Sequence, residues 1–295
     1  MIPLDQDLQT QKQNIEQFSD ITLRVLQYLP NVLSKAEIKN NYTIFSSEIA
    51  GNKKFIRPIN NNLFIKNPEV FQDNFSKLKE IFQKIKNGDK VSDEEKDCID
   101  GTLYTIQQSI GAGFDLLVNE NSARKHVGNR FEELIKAVFT ELEVVNKKIV
   151  LQIPYETDEG PKIYKCENDL ILSPHHKVLS TVNSLDEKEV VVSVKTTSKD
   201  RLGKMFIDKI LLERFVGHSQ KVIGIFLNDV QRKSTNNISY TLVSGLFMVY
   251  SKFLTGLEGI YYLDPPPNAL KQPFSSYMKR FSVLITEDYK KLLST

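Results

Sequence analysis

Apolar positions in the first hundred residues recur at helical spacing: Leu23, Val25, Leu26 and Leu29, then Phe71, Phe75, Leu78, Ile81 and Phe82. Between these runs, residues 53–67 carry Pro58 and the consecutive Asn60, Asn61 and Asn62, a composition that reads as loop. A charged stretch over residues 84–97 reads either as a soft boundary or as a solvated turn inside one domain. From residue 122 the pattern sharpens. Val127, Phe131, Leu134, Ile135 and Val138 mark one face of an amphipathic helix. Residues 148–154 and 163–172 read as strands, the second holding Tyr164, Leu170 and Ile171. Residues 189–196, EVVVSVKT, give the strongest strand signal in the chain, a β-branched run suited to a buried central position. A helix is expected over 200–215, with Met205, Phe206, Ile210, Leu211 and Leu212 apolar, and residues 221–227 and 238–246 return to strand. Helix, strands, helix and strand in that order predict an α/β core with a mixed sheet flanked by helices. The expected division is a mainly helical N-terminal region over 1–120 and a second domain over 121–295.

Composition changes this picture little. A chain of 295 residues can bury one large domain, or a main domain with a smaller appendage. A net charge of +2 announces no polyanionic partner. It does not exclude one either, because an enzyme that must release a nucleic-acid product needs a basic cleft rather than a basic surface. Cys98 and Cys166 are too few for a disulfide framework and lack zinc spacing, so both are expected as reduced thiols. Residues 1–10 are polar and lack the features of a signal peptide. No apolar run reaches membrane length; residues 245–257 are interrupted by Ser251 and Lys252. The expected location is the cytoplasm.

Polar residues inside apolar strands are the informative chemistry. Asp169 interrupts the stretch CENDLIL (166–172), and Ser193 and Lys195 interrupt the strongest strand, where alternation places them on the same face. A buried lysine needs a carboxylate or a phosphate beside it. Each residue alone reads more simply as a strand end or a turn cap; the pair points to a site. Metal-assisted phosphodiester hydrolysis uses such a set: carboxylates for a divalent cation and a lysine to orient water and offset growing negative charge.

The spacing Asn168, Asp169 … Ser193, Lys195 resembles the PD-(D/E)XK motif of restriction endonucleases, with Asn168 in place of the proline and Ser193 in place of the usual acid. A subgroup of those enzymes shares this S-x-K variant and carries the missing acid on the following helix. That resemblance assigns the acid to Asp208, with Glu213 as the substitute candidate, although the subgroup has Glu where Asp208 stands. The segment VKTTSKDR (194–201) resembles the K-T-T-x-(K/R)-(D/E)-R segment of the EcoRII-like group, which reads CC/GG-containing sites. Residues 122–132, SARKHVGNRFE, resemble the helix preceding that group's catalytic sheet, whose glutamate falls on Glu132. The resemblance covers residues 122–228.

What the resemblance implies is a restriction-endonuclease-like fold and a type II restriction endonuclease. Asp169 and Asp208 would hold Mg²⁺, Lys195 would position water, Glu132 would complete the acidic cluster and Ser193 would add a hydrogen bond. Lys199, Asp200 and Arg201 would read C:G pairs in the major groove of double-stranded DNA, where a carboxylate accepts from cytosine N4 and Arg donates twice to guanine. Lys199 stands where many relatives have Arg, and lacks its planar fork. Ser198 or Asp200 would in addition cap the helix beginning at residue 201. Cutting both strands of a near-palindrome implies a two-fold homodimer, and restriction systems by analogy pair the nuclease with a DNA methyltransferase. The apolar segment 244–264 would serve as a dimer interface or as core, with core favoured. Three rival readings remain: a repair, resolvase or mobile-element nuclease of the same fold, a DNA-binding protein on a decayed nuclease scaffold, and an unrelated α/β protein in which these residues are coincidental. His175 and His176 lack zinc spacing, and the glycines at 111 and 113 do not form a phosphate loop.

Overall fold

The computed structural model describes residues 2–49, 51–234 and 237–294; the side chains at 49, 52, 120–122 and 124, within the motif helix among other places, lie outside that description. Helices α1 (Leu4–Gln9) and α2 (Ile15–Val32) lead into four strands, β1 (Lys35–Lys39), β2 (Tyr42–Ile49), β3 (Asn52–Phe55) and β4 (Ile59–Asn60). Strand β2 pairs antiparallel with each of the other three. The expected loop over 53–67 is therefore partly strand, and the N-terminal region carries a sheet as well as helices. Lysine and asparagine dominate β3 and β4 and mask any alternation, so their pairing is set by the hydrogen-bonding edges of β2 and not by a local signal.

Helices α3 (Pro68–Asn87) and α4 (Asp93–Leu117) follow. The charged stretch 84–97 is the joint between them. Gly88 closes α3 in the left-handed region at φ 82°, and a reciprocal capping box between Ser92 and Glu95 opens α4. Helix α4 is buried along most of its length and packs against α1, α2, α3 and the next helix, α5 (Glu120–Glu141).

The main sheet comes next. Strands β5 (Val145–Thr157), β6 (Gly160–Ser173) and β7 (Val190–Lys195) are followed by α6 (Leu202–Val216) and β8 (Lys221–Asn228). A hairpin, β9 (Val230–Lys233) and β10 (Asn237–Tyr240), precedes α7 (Ser244–Phe253) and β11 (Gly259–Asp264). The chain ends with β12 (Met278–Arg280), α8 (Phe281–Val283), a π-helical turn over Leu284–Asp288, and α9 (Tyr289–Leu293). Six of these strands form one mixed sheet in the order β12-β11-β8-β7-β6-β5. Strands β12, β11, β8 and β7 run parallel, while β6 is antiparallel to both β7 and β5.

Residues 238–246, expected as one strand, divide between β10 and the first turn of α7. A short apolar run has no period of its own to choose between the two. Here Phe247 settles the matter by packing among Phe206, Phe274 and Tyr277. In the rest of 244–264, β11 is fully buried, whereas Val249 and Phe253 on α7 are exposed.

Alternation along β7 sorts the two faces of the sheet. Val190, Val192 and Val194 enter one core, together with Leu170 and Leu172 of β6, α5 and the N-terminal helices. Val191 enters the other, with Ile171 and the apolar side of α6. Asp169, Ser193 and Lys195 follow Ile171 and Val191 in period two, and so share the α6 face.

Candidate active site

Strands β6 and β7 pair only over Leu170–Val192, Ile171–Val191 and Leu172–Val190, and then part. Strand β7 continues to Lys195 against β8. Where the ladder stops, the Asp169 carboxylate takes over: its Oδ2 accepts the Val194 backbone N–H at 2.9 Å and also accepts from Lys195 Nζ. A buried N–H that loses its strand partner must find another acceptor, and Asp169 supplies it. Asp169 is 8% exposed. Its Oδ1 accepts no hydrogen bond among the described residues, which leaves that oxygen for something in the cleft.

Helix α5 brings Glu132 to the same point. Its Oε1 lies 3.6 Å from Lys195 Nζ, and its Oε2 accepts from Lys148 Nζ on β5 at 2.9 Å. Burial, and then the Asp169 charge, push the Glu132 carboxyl above its ordinary range despite the two lysines. Lys148 is raised as well: its own burial works against the charge, but the bond to Glu132 and the nearby carboxylates outweigh it. Glu133, one position on, turns away to Arg130 at 2.6 Å and the Lys12 backbone at 3.0 Å. Lys148 carried no signal in the sequence beyond a lysine pair at a strand start.

Helix α6 forms the opposite wall. Asp208, Asp169, Ser193 and Lys195 line one cleft of about 290 Å³, whose other walls include Glu167, Arg201 and Lys204. Lys204 holds Asp208 through both carboxylate oxygens at 2.6 Å. Glu213 is elsewhere: it accepts from the Gln220 backbone at 3.1 Å and from Ser219 at 3.3 Å, closing the far end of α6. Among the described residues no three His, Cys, Asp or Glu side chains are gathered as a ready metal cage. Magnesium does not require one, since it binds through one or two carboxylates and fills its remaining positions with water and phosphate oxygens. The free Asp169 oxygen and the Asp208 carboxylate are hard donors of the right kind, so the residues present fit that ion.

Between β7 and α6 the chain makes an exposed turn bearing Lys199, Asp200 and Arg201. Asp200 sits in the left-handed region at φ 57°, a conformation that Asp tolerates better than most residues. Neither Ser198 nor Asp200 caps α6 by its side chain. Arg201 occupies the N-cap position, and the carbonyl of Ser198 accepts from the N–H groups of Arg201 and Leu202. The Ser198 hydroxyl is engaged instead by Asp229, a fully buried carboxylate after β8. Asp229 accepts from Ser198 N at 2.7 Å, Ser198 Oγ at 2.6 Å, Thr197 Oγ1 at 2.9 Å and Tyr262 OH at 2.8 Å. Sequence reasoning passed over Asp229. Its signal was available as a polar pair, Asn228 and Asp229, closing an apolar strand, the same kind of interruption that marked Asp169.

The fold is a restriction-endonuclease-like α/β fold, with an acidic–lysine cleft where two central strands diverge. Among solved structures, the type IIP restriction endonuclease Kpn2I is similar with a TM-score of 0.72 and 19% identity, over 94% of this chain and 91% of that one. A complex of the restriction endonuclease PspGI with substrate DNA aligns at a TM-score of 0.44 and 11% identity, over 76% of this chain and 92% of that one. No family model and no curated protein matches the sequence.

Proposed function

We propose that this chain is a type II restriction endonuclease that hydrolyses double-stranded DNA with Mg²⁺ at a near-palindromic, C:G-containing site. The observation that carries the reading is that Asp169, Lys195 and Asp208, from β6, β7 and α6, line one cleft, with Glu132 of α5 at 3.6 Å from Lys195 Nζ. The fold shared with Kpn2I, a type IIP restriction endonuclease by its description, supports the same reading. Asp169 and Asp208 would hold the ion, which when bound polarises the scissile phosphate and lowers the pKa of a water. Lys195, poised between Asp169 and Glu132, orients the attacking water and offsets the charge that grows on the phosphate. Glu132 and Lys148 hold the lysine's surroundings in place, and Ser193 contributes a hydrogen-bonding hydroxyl to the cleft floor.

The turn of Lys199, Asp200 and Arg201 reads the bases. Asp229 anchors it from below, so that these exposed side chains are presented by a rigid backbone. Two-fold DNA symmetry calls for a homodimer. A methyltransferase of matching specificity would protect the host's own sites, and the enzyme would work in the cytoplasm; among the described residues no helix is long and apolar enough to cross a membrane.

The test is incubation of purified protein with plasmid and phage DNA, with Mg²⁺ or with EDTA, beside Lys195→Ala. Discrete, metal-dependent fragments are expected, reduced roughly 10²-fold or more in the variant. Structure-dependent nicking at no fixed sequence would favour a repair-type nuclease. Duplex binding without cleavage by folded protein would make it a binding protein on a nuclease scaffold.

A further inference from the structure

Gln231 on β9 accepts from Lys199 Nζ at 3.3 Å. It also lines a groove of about 790 Å³ between the β9–β10 hairpin and the N-terminal sheet. The walls of this groove carry Lys53, Lys54, Arg57 and Arg232, and among its described lining residues one carboxylate, Asp115. Three of the cations donate hydrogen bonds within the protein, Arg232 through Nη1 to the Ser234 carbonyl at 2.9 Å. Asp115 accepts from Arg57 Nε at 2.8 Å and Nη2 at 2.7 Å, and Lys54 Nζ donates to the Leu116 carbonyl at 2.8 Å.

Lys53 and Arg232 are exposed. Both sit on the ring of Phe55: the Arg232 guanidinium is 4.4 Å and Lys53 Nζ is 5.0 Å from its centroid. Cation–π contact holds each in a defined place. It also sets two like charges within a Debye length of each other, a repulsion that an anion between or above them relieves. Glu48 faces Lys53 across the β2–β3 pair but does not line the groove. The groove is continuous with the turn proposed to read the bases, because Lys199 reaches Gln231, and Asp229 ties the turn to the end of β10 by accepting from Thr241.

We propose that this groove takes the sugar-phosphate backbone of the bound duplex, beside the base pairs read by Lys199, Asp200 and Arg201, with Lys53 and Arg232 as the phosphate-binding cations. The N-terminal sheet thereby becomes part of the DNA interface. The inference rests on the DNA-cleaving reading above. It adds affinity without sequence information, since phosphate contacts position a protein on DNA and base contacts specify.

The experiment is fluorescence anisotropy of a labelled DNA duplex against KCl concentration, in the cleavage-deficient Lys195→Ala protein with and without Lys53→Ala/Arg232→Ala. Each phosphate neutralised adds about 0.9 to the slope of log affinity against log salt. The double substitution is expected to lower that slope by about two and to weaken binding at least ~10-fold at 0.1 M salt. The charge-keeping pair Lys53→Arg/Arg232→Lys is expected to restore most of both. An unchanged slope in a folded alanine variant overturns the phosphate site while the parent's binding leaves the nuclease reading standing. Equal loss in the charge-keeping pair also overturns it, because the residues then act through folding. A parent that binds no duplex at all removes both readings.

Discussion

At the scale of single residues, the site depends on what Asp169 does twice. One of its oxygens replaces a strand partner for Val194 N–H and holds the Lys195 ammonium, and the other stays open to the cleft. A carboxylate used in this way can face a cation without any change in backbone. Ser193 brings no charge to the cleft, and Asp208 lines it from α6. Glu213 is committed to the Gln220 backbone instead. Asp208→Asn is therefore expected to reduce Mg²⁺-dependent cleavage roughly 100-fold or more, with partial recovery at high Mg²⁺. Glu213→Gln is expected to leave cleavage within a few-fold, read by plasmid linearisation across a metal titration. Equal effects of the two would remove Asp208 from the set of ligands.

Elements rather than residues hold the proposed base-reading turn in place. The turn between β7 and α6 is exposed, yet its backbone and hydroxyls at Thr197 and Ser198 converge on the buried Asp229, which Tyr262 of β11 also contacts. Removing that carboxylate strands several buried donors, each costing about 1–3 kcal/mol when unsatisfied. Asp229→Ala is expected to destabilise the fold by roughly 3 kcal/mol or more, seen in urea unfolding. Asp229→Asn, which keeps one acceptor, should stay folded but lose discrimination between a cognate duplex and one carrying a single mismatch. A variant that unfolds earlier yet discriminates as well as the wild type would limit Asp229 to a structural role.

On the scale of the whole molecule, the N-terminal sheet is joined to the main sheet through a buried acid. Asp264, at the end of β11, accepts from Tyr42 OH at 3.0 Å and Asn60 Nδ2 at 2.8 Å. Burial raises its pKa to about 6, against the hydrogen bonds from Asn60 and Tyr42. The folded state thus binds a proton there that the unfolded chain, near the ordinary aspartate value of 3.8, has already released. The stability this group contributes is present below pH 4 and is lost as pH rises through about 6. Asp100, buried on α4 beside Arg280, is raised to about 6 as well and acts in the same direction. Asp264→Asn is expected to flatten, but not abolish, the fall in melting temperature between pH 4.5 and 7. An unaltered slope would mean that Asp264 does not titrate in that window.

The sequence by itself determined the parts whose signal is local. The β-branched run of β7 cannot tolerate Ser193 and Lys195 without a reason, and Asp169 marks β6 in the same way, so the strands and the centre of the candidate site were legible from polar atoms in apolar strands. Glu132 and the turn of Lys199, Asp200 and Arg201 came from resemblance, not from periodicity. Tertiary structure decided the rest, because it depends on contacts between distant segments. Strands β3 and β4 exist because β2 offers them hydrogen-bonding edges, although their lysines and asparagines show no alternation. Helix α7 replaced part of an expected strand because Phe247 found an aromatic cluster. Asp208 was separated from Glu213 by the direction each faces on α6, and Ser198 gave up a capping role because Asp229, thirty-one residues on, offered a stronger acceptor. A local pattern states which groups cannot be left buried alone; only the packed chain determines which partner each one meets.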